Sequence, residues 1–285
     1  MKWRDRRASE NVEDRRGQSA RGRTSAKFGG GIVIVAILAS LLFGFDPAQI
    51  LGLLAGGGSG FESVESQGPA MPIDPADEDA QFVGVVLGST EDAWIEQFAE
   101  RQAEYRPPRL VLYTDAVDSA CGMGTAATGP FYCPGDDRVY IDLGFLSDLE
   151  RLGAPGDFAF AYVIAHEVGH HIQNLLGIER EARSAMSRGT EAQANALSVK
   201  MELQADCFAG IWAHAARGEA GFLESGDLQE GLAAAASVGD DRLQRSAGRQ
   251  VQPESFTHGT SEQRAQWFRI GLESGSIEEC DTFSR

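Results

Sequence analysis

The chain has 285 residues and a net charge of −17 at neutral pH, and this charge is unevenly spread. Residues 1–27 hold nine Lys or Arg and four Asp or Glu, a net charge of +5 that leaves −22 for the remainder. Nucleic-acid backbones are bound by basic surfaces, so a strongly acidic body argues against nucleic acid as a partner. The length allows one sizeable globular domain with attachments, or two small domains.

The basic segment 1–27 leads into an uncharged run over residues 28–45. As a helix this run would be about 27 Å long, close to the hydrocarbon thickness of a bilayer. The basic flank predicts a cytoplasmic tail over 1–27, a transmembrane signal anchor over 28–45, and a periplasmic or other extracytoplasmic body. A cleaved signal peptide is one alternative, although no clear cleavage site follows the run. A buried core helix is another, but the three consecutive glycines fit it poorly.

The sequence after the predicted anchor is typical of a linker. Residues 46–80 contain a GGGSG stretch, and Pro69, Pro72 and Pro75 lie among acidic residues, which prevents regular structure. We therefore expect the folded domain over residues 81–285.

Within this domain, the residue patterns predict a few strands followed by packed helices, an α+β fold with a mostly helical body and a small β-sheet. A helix capped by a threonine and two strands rich in β-formers come first, and long helices follow. The predicted helices are 90–105, 158–177 and 191–217, with shorter ones around 227–236 and 261–273, and the predicted strands are 109–114 and 138–143.

Four cysteines fit an extracytoplasmic domain. Cys121 and Cys133 bracket a Gly/Pro-rich loop, so we favour a short local disulfide between them. Cys207 and Cys280 then pair by elimination, although four cysteines allow three pairings. Free thiols are the alternative, and they would be more common in a cytosolic protein.

The central motif is His166-Glu167-x-x-His170, inside a predicted helix with apolar flanks. Residues i and i+4 lie one turn apart on the same helix face, so both imidazoles can reach one tetrahedral Zn²⁺. Glu167 flanks that face and is placed to act as a general base on a zinc-activated water. The alternative is a core helix that carries histidines without a metal.

A catalytic zinc usually has three protein ligands and one open position. The metzincin continuation is excluded, because no histidine follows His170 at the required offset. Glu202, on the next long predicted helix, is the best third donor, since the intervening turn can bring that helix back antiparallel. Asp206 is predicted to accept the second ring N–H of a ligating histidine. The alternative for both is a solvated helix face, which the apolar neighbours of these residues make a poorer fit. We expect one Zn²⁺ per chain.

HExxH followed by ExxxD on the next helix resembles the gluzincin group of zinc peptidases. More closely, residues 80–285 resemble the bacterial family of neutral zinc metallopeptidases, and the basic tail with one membrane span is similar to that family as well. The resemblance implies a zincin-like fold, zinc and peptidase chemistry. The matching stretches are GPFYCPGDDRVYIDLGF (129–145), AYVIAHEVGHHIQNLLG (161–177), ELQADCFAGIWA (202–213) and FTHGTSEQR (256–264).

Other residues are candidates for supporting roles. Thermolysin-like enzymes use a histidine from outside the zinc motif to stabilise the oxyanion, and we predict this role for His258. The alternative is a loop residue that holds the start of the next helix. Tyr132 and Tyr140 are alternative oxyanion donors. His171 could line the cleft, support a ligand or be a plain surface residue. Strand 138–143 could be a cleft-edge strand that binds extended peptide by strand addition, or a core strand.

The sequence thus predicts a membrane-anchored zinc metalloendopeptidase that hydrolyses peptide bonds in peptides or unfolded proteins. Two alternatives stay open. One is a catalytically inactive zinc-binding interaction protein of the cell envelope, which would fit a closed four-ligand site better than the three ligands found here. The other is a zinc hydrolase of cell-wall cross-links, which nothing in the sequence excludes.

Overall fold

The computed structural model describes residues 1–17, 73–219 and 221–284, and their helices and strands are named here in chain order. The strands are β1 (Val12–Asp14), β2 (Arg109–Tyr113), β3 (Ala116–Ser119), β4 (Gly122–Thr125), β5 (Phe131–Cys133) and β6 (Arg138–Asp142). The helices are α1 (Glu78–Glu100), α2 (Phe145–Arg151), α3 (Asp157–Leu175), α4 (Ile178–Met186), α5 (Glu191–Gly218), α6 (Asp227–Ser237), α7 (Asp240–Ser246) and α8 (Ser261–Ser274).

Four strands form one mixed sheet in the order β1-β2-β6-β5, and β3 pairs with β4 in a separate hairpin. β1, β2 and β6 run parallel, whereas β5 is antiparallel to β6. Of the two alternatives for strand 138–143, the structure has the core strand, because β6 is hydrogen-bonded to a neighbour on each side. The outer strand on this side of the sheet is β5.

The core lies where α1, α3 and α5 pack together. α3 is buried along most of its length, and its Phe158 stacks on Trp212 of α5 with ring centroids 5.4 Å apart. Phe208 of α5 packs edge-on against Trp94 of α1 at 5.5 Å. Aromatic pairs of this kind bury large apolar areas, so they fix the relative positions of the three helices.

α5 and α8 pack with their backbones in close contact. A Cβ atom added at Gly271 would collide with the carbonyl oxygen of Cys207, and one added at Gly210 would collide with that of Phe268. Only a residue without a side chain allows this approach. The contact brings Arg264, near the start of α8, against the middle of α5.

Residues 1–17 belong to the same compact unit as the body of the protein. Val12 of β1 lies opposite Leu110 of β2, and the buried Glu13 accepts a hydrogen bond from Arg109 at 2.8 Å. Earlier in the chain, Arg7 forms an ion pair with Glu91 of α1 at 3.0 Å. A separate basic tail was predicted over these residues, but several of their arginines form ion pairs with carboxylates of the domain.

The expectation of a single-pass membrane protein is corrected. Across residues 1–17, 73–219 and 221–284, no helix is both long and apolar enough to cross a bilayer, which contradicts the predicted transmembrane helix in the fold class and the predicted localisation. The longest helices, α1 and α5, carry charged residues and pack into the domain. The predicted span, residues 28–45, lies outside the described residues. The α+β prediction, mostly helical with a small sheet, is confirmed.

Gly271→Ala tests the close contact between α5 and α8. We expect it to lower the free energy of unfolding by about 1–3 kcal/mol, because the added methyl group forces the two backbones apart. Gly218→Ala is the matched control, since a Cβ there meets no atom within 4 Å and the change should stay within about 0.5 kcal/mol. Urea unfolding followed by circular dichroism measures both. Equal stabilities of the two variants would contradict the proposed packing constraint.

Candidate metal centre

Two helices carry the residues that the sequence analysis singled out. His166, Glu167 and His170 lie on α3, and Glu202 and Asp206 lie on α5. Gly169, between the two histidines, lets the helices approach, because a Cβ there would lie 2.9 Å from the carbonyl oxygen of Ala205. The two motifs therefore meet at the point of closest contact between the helices.

The three predicted ligands converge on one point. Nε2 of His166 lies 3.2 Å from Oε2 of Glu202, and Nε2 of His170 lies 3.5 Å from Oε1 of the same carboxylate. A tetrahedral Zn²⁺ with bonds of about 2.0–2.1 Å holds its ligand atoms about 3.3 Å apart. One donor atom from each of the three residues lies within 4.8 Å of the others, so the set could share one metal ion.

The electrostatics of the cluster favour a cation at the same point. Burial alone would lower the pKa of His166, but the carboxylates of Asp206 and Glu202 outweigh it and raise this pKa to about 9. Burial alone would raise the pKa of Glu202, yet the imidazoles of His170 and His166 hold it well below its ordinary value. The buried carboxylates need positive charge, which a divalent metal would supply.

Each ligand histidine has an acceptor for its second ring nitrogen. Nδ1 of His166 donates to Oδ1 of Asp206 at 2.9 Å, and Nδ1 of His170 donates to Oε1 of Gln173 at 2.9 Å. With Nδ1 engaged in this way, both Nε2 atoms face Glu202, where a metal would replace the proton on each nitrogen. Asp206 was predicted in this role from the sequence, but Gln173 was not. Gln173 is fully buried and lies one turn after His170 on α3.

Arg264 is the other residue that the sequence analysis missed. Its guanidinium is buried and donates to Asp206 from Nε at 2.8 Å and from Nη2 at 2.9 Å. The Tyr162 hydroxyl donates to the same carboxylate. The signal was present in the sequence, because Arg264 shares the buried face of α8 with Phe268 and Gly271 at helical spacing. An arginine on such a face needs a buried partner.

The site opens into a cleft of about 630 Å³. The predicted ligands, Glu167 and His258 all line it. Glu167 is 7% exposed, while the side chain of His258 is 49% exposed at the rim. Asp240 anchors His258. The backbone N–H of His258 donates to Asp240 at 2.7 Å, and its Nδ1 lies 3.2 Å from the same carboxylate.

The two tyrosines offered as oxyanion donors are engaged elsewhere. Tyr140 is buried and its hydroxyl donates to Asp136 at 2.7 Å. Tyr132 lines the cleft, but its hydroxyl lies 3.1 Å from Nδ1 of His171. Burial lowers the pKa of His171, and its Nε2 donates to the carbonyl of Arg106 at 2.6 Å. His171 is thus a buried link between α3 and the segments beside it.

The structure contains both disulfides that the sequence analysis favoured. Cys121–Cys133 closes the loop before β6, and Cys133 is the last residue of β5, the outer strand. Cys207–Cys280 joins α5, one residue after Asp206, to the end of the chain.

Comparison with known proteins agrees with this geometry. Residues 1–283 match a family model described as "Putative neutral zinc metallopeptidase". The chain belongs to this family. The family description implies zinc as the metal of the site.

Two similar proteins illustrate the extent of the likeness. "Uncharacterized protein YpfJ" of Escherichia coli strain K12 is 47% identical over 294 aligned positions, which cover 100% of this chain and 99% of the relative. "Uncharacterized protein Rv2575" of Mycobacterium tuberculosis is 42% identical over 191 positions, 63% of this chain and 64% of the relative. No solved structure shows a significant match.

Asp206→Asn tests whether the buried carboxylate supports the metal ligand. We expect a loss of zinc affinity of about 10- to 100-fold, because the amide accepts a weaker hydrogen bond from His166. Competition with a chromogenic chelator measures the affinity, and circular dichroism checks the fold. Glu191→Gln, an exposed carboxylate on the same helix, is the control. A folded Asp206→Asn protein with unchanged zinc affinity would rule out this role.

Proposed function

We propose that the protein is a zinc-dependent endopeptidase that hydrolyses peptide bonds in peptides or unfolded proteins. The observation that carries this proposal is the pairing of an open three-donor set with a buried carboxylate in one cleft. His166, His170 and Glu202 would hold the metal, and Glu167 lies on the same cleft without being needed as a ligand. A purely structural zinc site is normally closed by a fourth protein ligand.

Bound Zn²⁺ would supply a Lewis acid that polarises the scissile carbonyl and lowers the pKa of water. Glu167 takes the proton of the attacking water and later passes it to the leaving amine. Its burial beside the ligands keeps the carboxylate close to the reacting atoms and away from bulk solvent. Asp206 and Gln173 hold the two imidazoles in the tautomer that leaves Nε2 free.

Two elements of the cleft are suited to hold the substrate. β5 is the outer strand of the sheet, and its Phe131 and Tyr132 line the cleft, so an extended peptide can pair with it. His258 also lines the cleft and is anchored by Asp240. We assign it the stabilisation of the oxyanion.

Glu167→Gln is the decisive variant for catalysis. We expect the full-length protein to bind one zinc ion in both wild type and variant, with cleavage of an unfolded protein only by the wild type. Loss of the proton acceptor should lower kcat/KM by about 100- to 10,000-fold. Metal analysis and fluorescence of a labelled casein-type substrate measure the two properties. Zinc in both proteins with cleavage by neither would favour a zinc-binding interaction protein.

His258→Phe tests the proposed oxyanion donor. We expect kcat to fall by about 100- to 1,000-fold with zinc content unchanged, because the variant removes a donor that acts on the developing negative charge. Asp240→Asn should have a smaller effect in the same direction, since it loosens His258 without removing it. Steady-state kinetics on a peptide substrate measure both variants. A kcat for His258→Phe within threefold of wild type would exclude this assignment.

A further inference from the structure

A second buried carboxylate lies on the cleft, apart from the metal ligands. Glu179 is in the first turn of α4, is 7% exposed, and lines the cleft together with Ala182, Arg183 and Met186. Its Oε1 accepts a hydrogen bond from Nε of Arg183 at 2.6 Å. Its Oε2 is buried, and among the described residues no donor lies within hydrogen-bonding distance of it.

A carboxylate oxygen in this position needs an explanation. Buried polar atoms are almost always hydrogen-bonded, and an unpaired one on a charged group is costly. The start of a helix favours acidic residues, but this does not require burial. Glu181 occupies the same first turn and is exposed. The burial of Glu179 beside the cleft is therefore a separate feature of the structure.

Arg183, the ion-pair partner of Glu179, neutralises its charge only weakly. The Arg183 side chain is 67% exposed, and ion pairs with an exposed partner are weak. The guanidinium can move into solvent and leave the carboxylate to a cation from the cleft. The pKa of Tyr132 is raised mainly by burial, and the charge of Glu179 adds to this effect.

We propose that Glu179 is a specificity-determining residue that binds a cationic group of the peptide substrate. The group is the guanidinium or ammonium of an Arg or Lys side chain, or the α-ammonium at the start of the peptide. The overall charge agrees, because the chain carries −17 and would attract cationic substrates. This inference rests on the proposed peptidase function, but it can be tested by binding alone.

Equilibrium binding to the zinc-loaded full-length Glu167→Gln protein is the test. The probes are acetylated, amidated hexapeptides in which one arginine is moved through the six positions, each compared with a peptide that has citrulline at the same place. Calorimetry should show that arginine binds about 10- to 100-fold more tightly than citrulline at one position, as expected for a charge-assisted hydrogen bond. Adding Glu179→Gln should remove this difference, whereas adding Glu181→Gln should leave it intact.

Arg183→Gln provides a second variant at an exposed position, where folding is not at risk. It should increase the arginine preference about two- to fivefold, because it removes the competing guanidinium. The same peptides without the acetyl group test the α-ammonium. If only they bind more tightly, and if Glu179→Gln removes this gain, the bound group is the α-ammonium. The proposal is overturned if no arginine position or free α-amine improves binding, or if the preference survives Glu179→Gln or is unchanged by Arg183→Gln.

The outcomes for the two proposals are distinct. Charge-dependent binding without cleavage by the wild type would support the role of Glu179 and contradict the peptidase function. Cleavage by the wild type without any preference for cationic groups would do the reverse.

Discussion

The buried carboxylate of Asp206 is the point on which both the fold and the site depend. It lies at the junction of three helices and receives hydrogen bonds from His166 on α3 and Arg264 on α8. A carboxylate in the protein interior costs several kcal/mol unless it is paired, and removal of its partner typically destabilises a protein by about 3–5 kcal/mol. Because each partner comes from a different helix, the charge is tolerated only when all three helices are docked.

The same junction needs short distances between backbones. Gly169 allows α3 to approach α5, and Gly271 allows α8 to approach α5 from another side. Larger residues would separate Glu202 from the two histidines, and a metal ligand set tolerates only a few tenths of an ångström. The Cys207–Cys280 disulfide joins residues with a sequence separation of 73. By lowering the conformational entropy of the unfolded chain, a loop of this length raises the free energy of unfolding by about 4 kcal/mol. The packing that stabilises the fold is therefore also what positions the ligands.

Burial has different consequences for the charged groups of this region. Asp206 and Arg264 form a buried ion pair at 2.8 Å, which holds their neighbours in place. Glu167 and Glu179 are also buried, but both lie on the cleft, where a substrate can reach them. Carboxylates that are shielded from bulk water yet face a cleft interact strongly with whatever enters it. The separation between supporting and substrate-facing charges arises from which helix face each residue occupies.

The sequence by itself determined the parts of the site that depend on local periodicity. His166 and His170 share a helix face because of the 3.6-residue repeat, and Glu202 and Asp206 share one for the same reason. Only the tertiary structure decided what surrounds them. Arg264 reaches the site through contacts between segments about 60 to 100 residues apart, which leave no periodic signal. β5 rather than β6 lies at the edge, and residues 1–17 join the sheet, because strand pairing depends on partners that composition and local pattern do not specify.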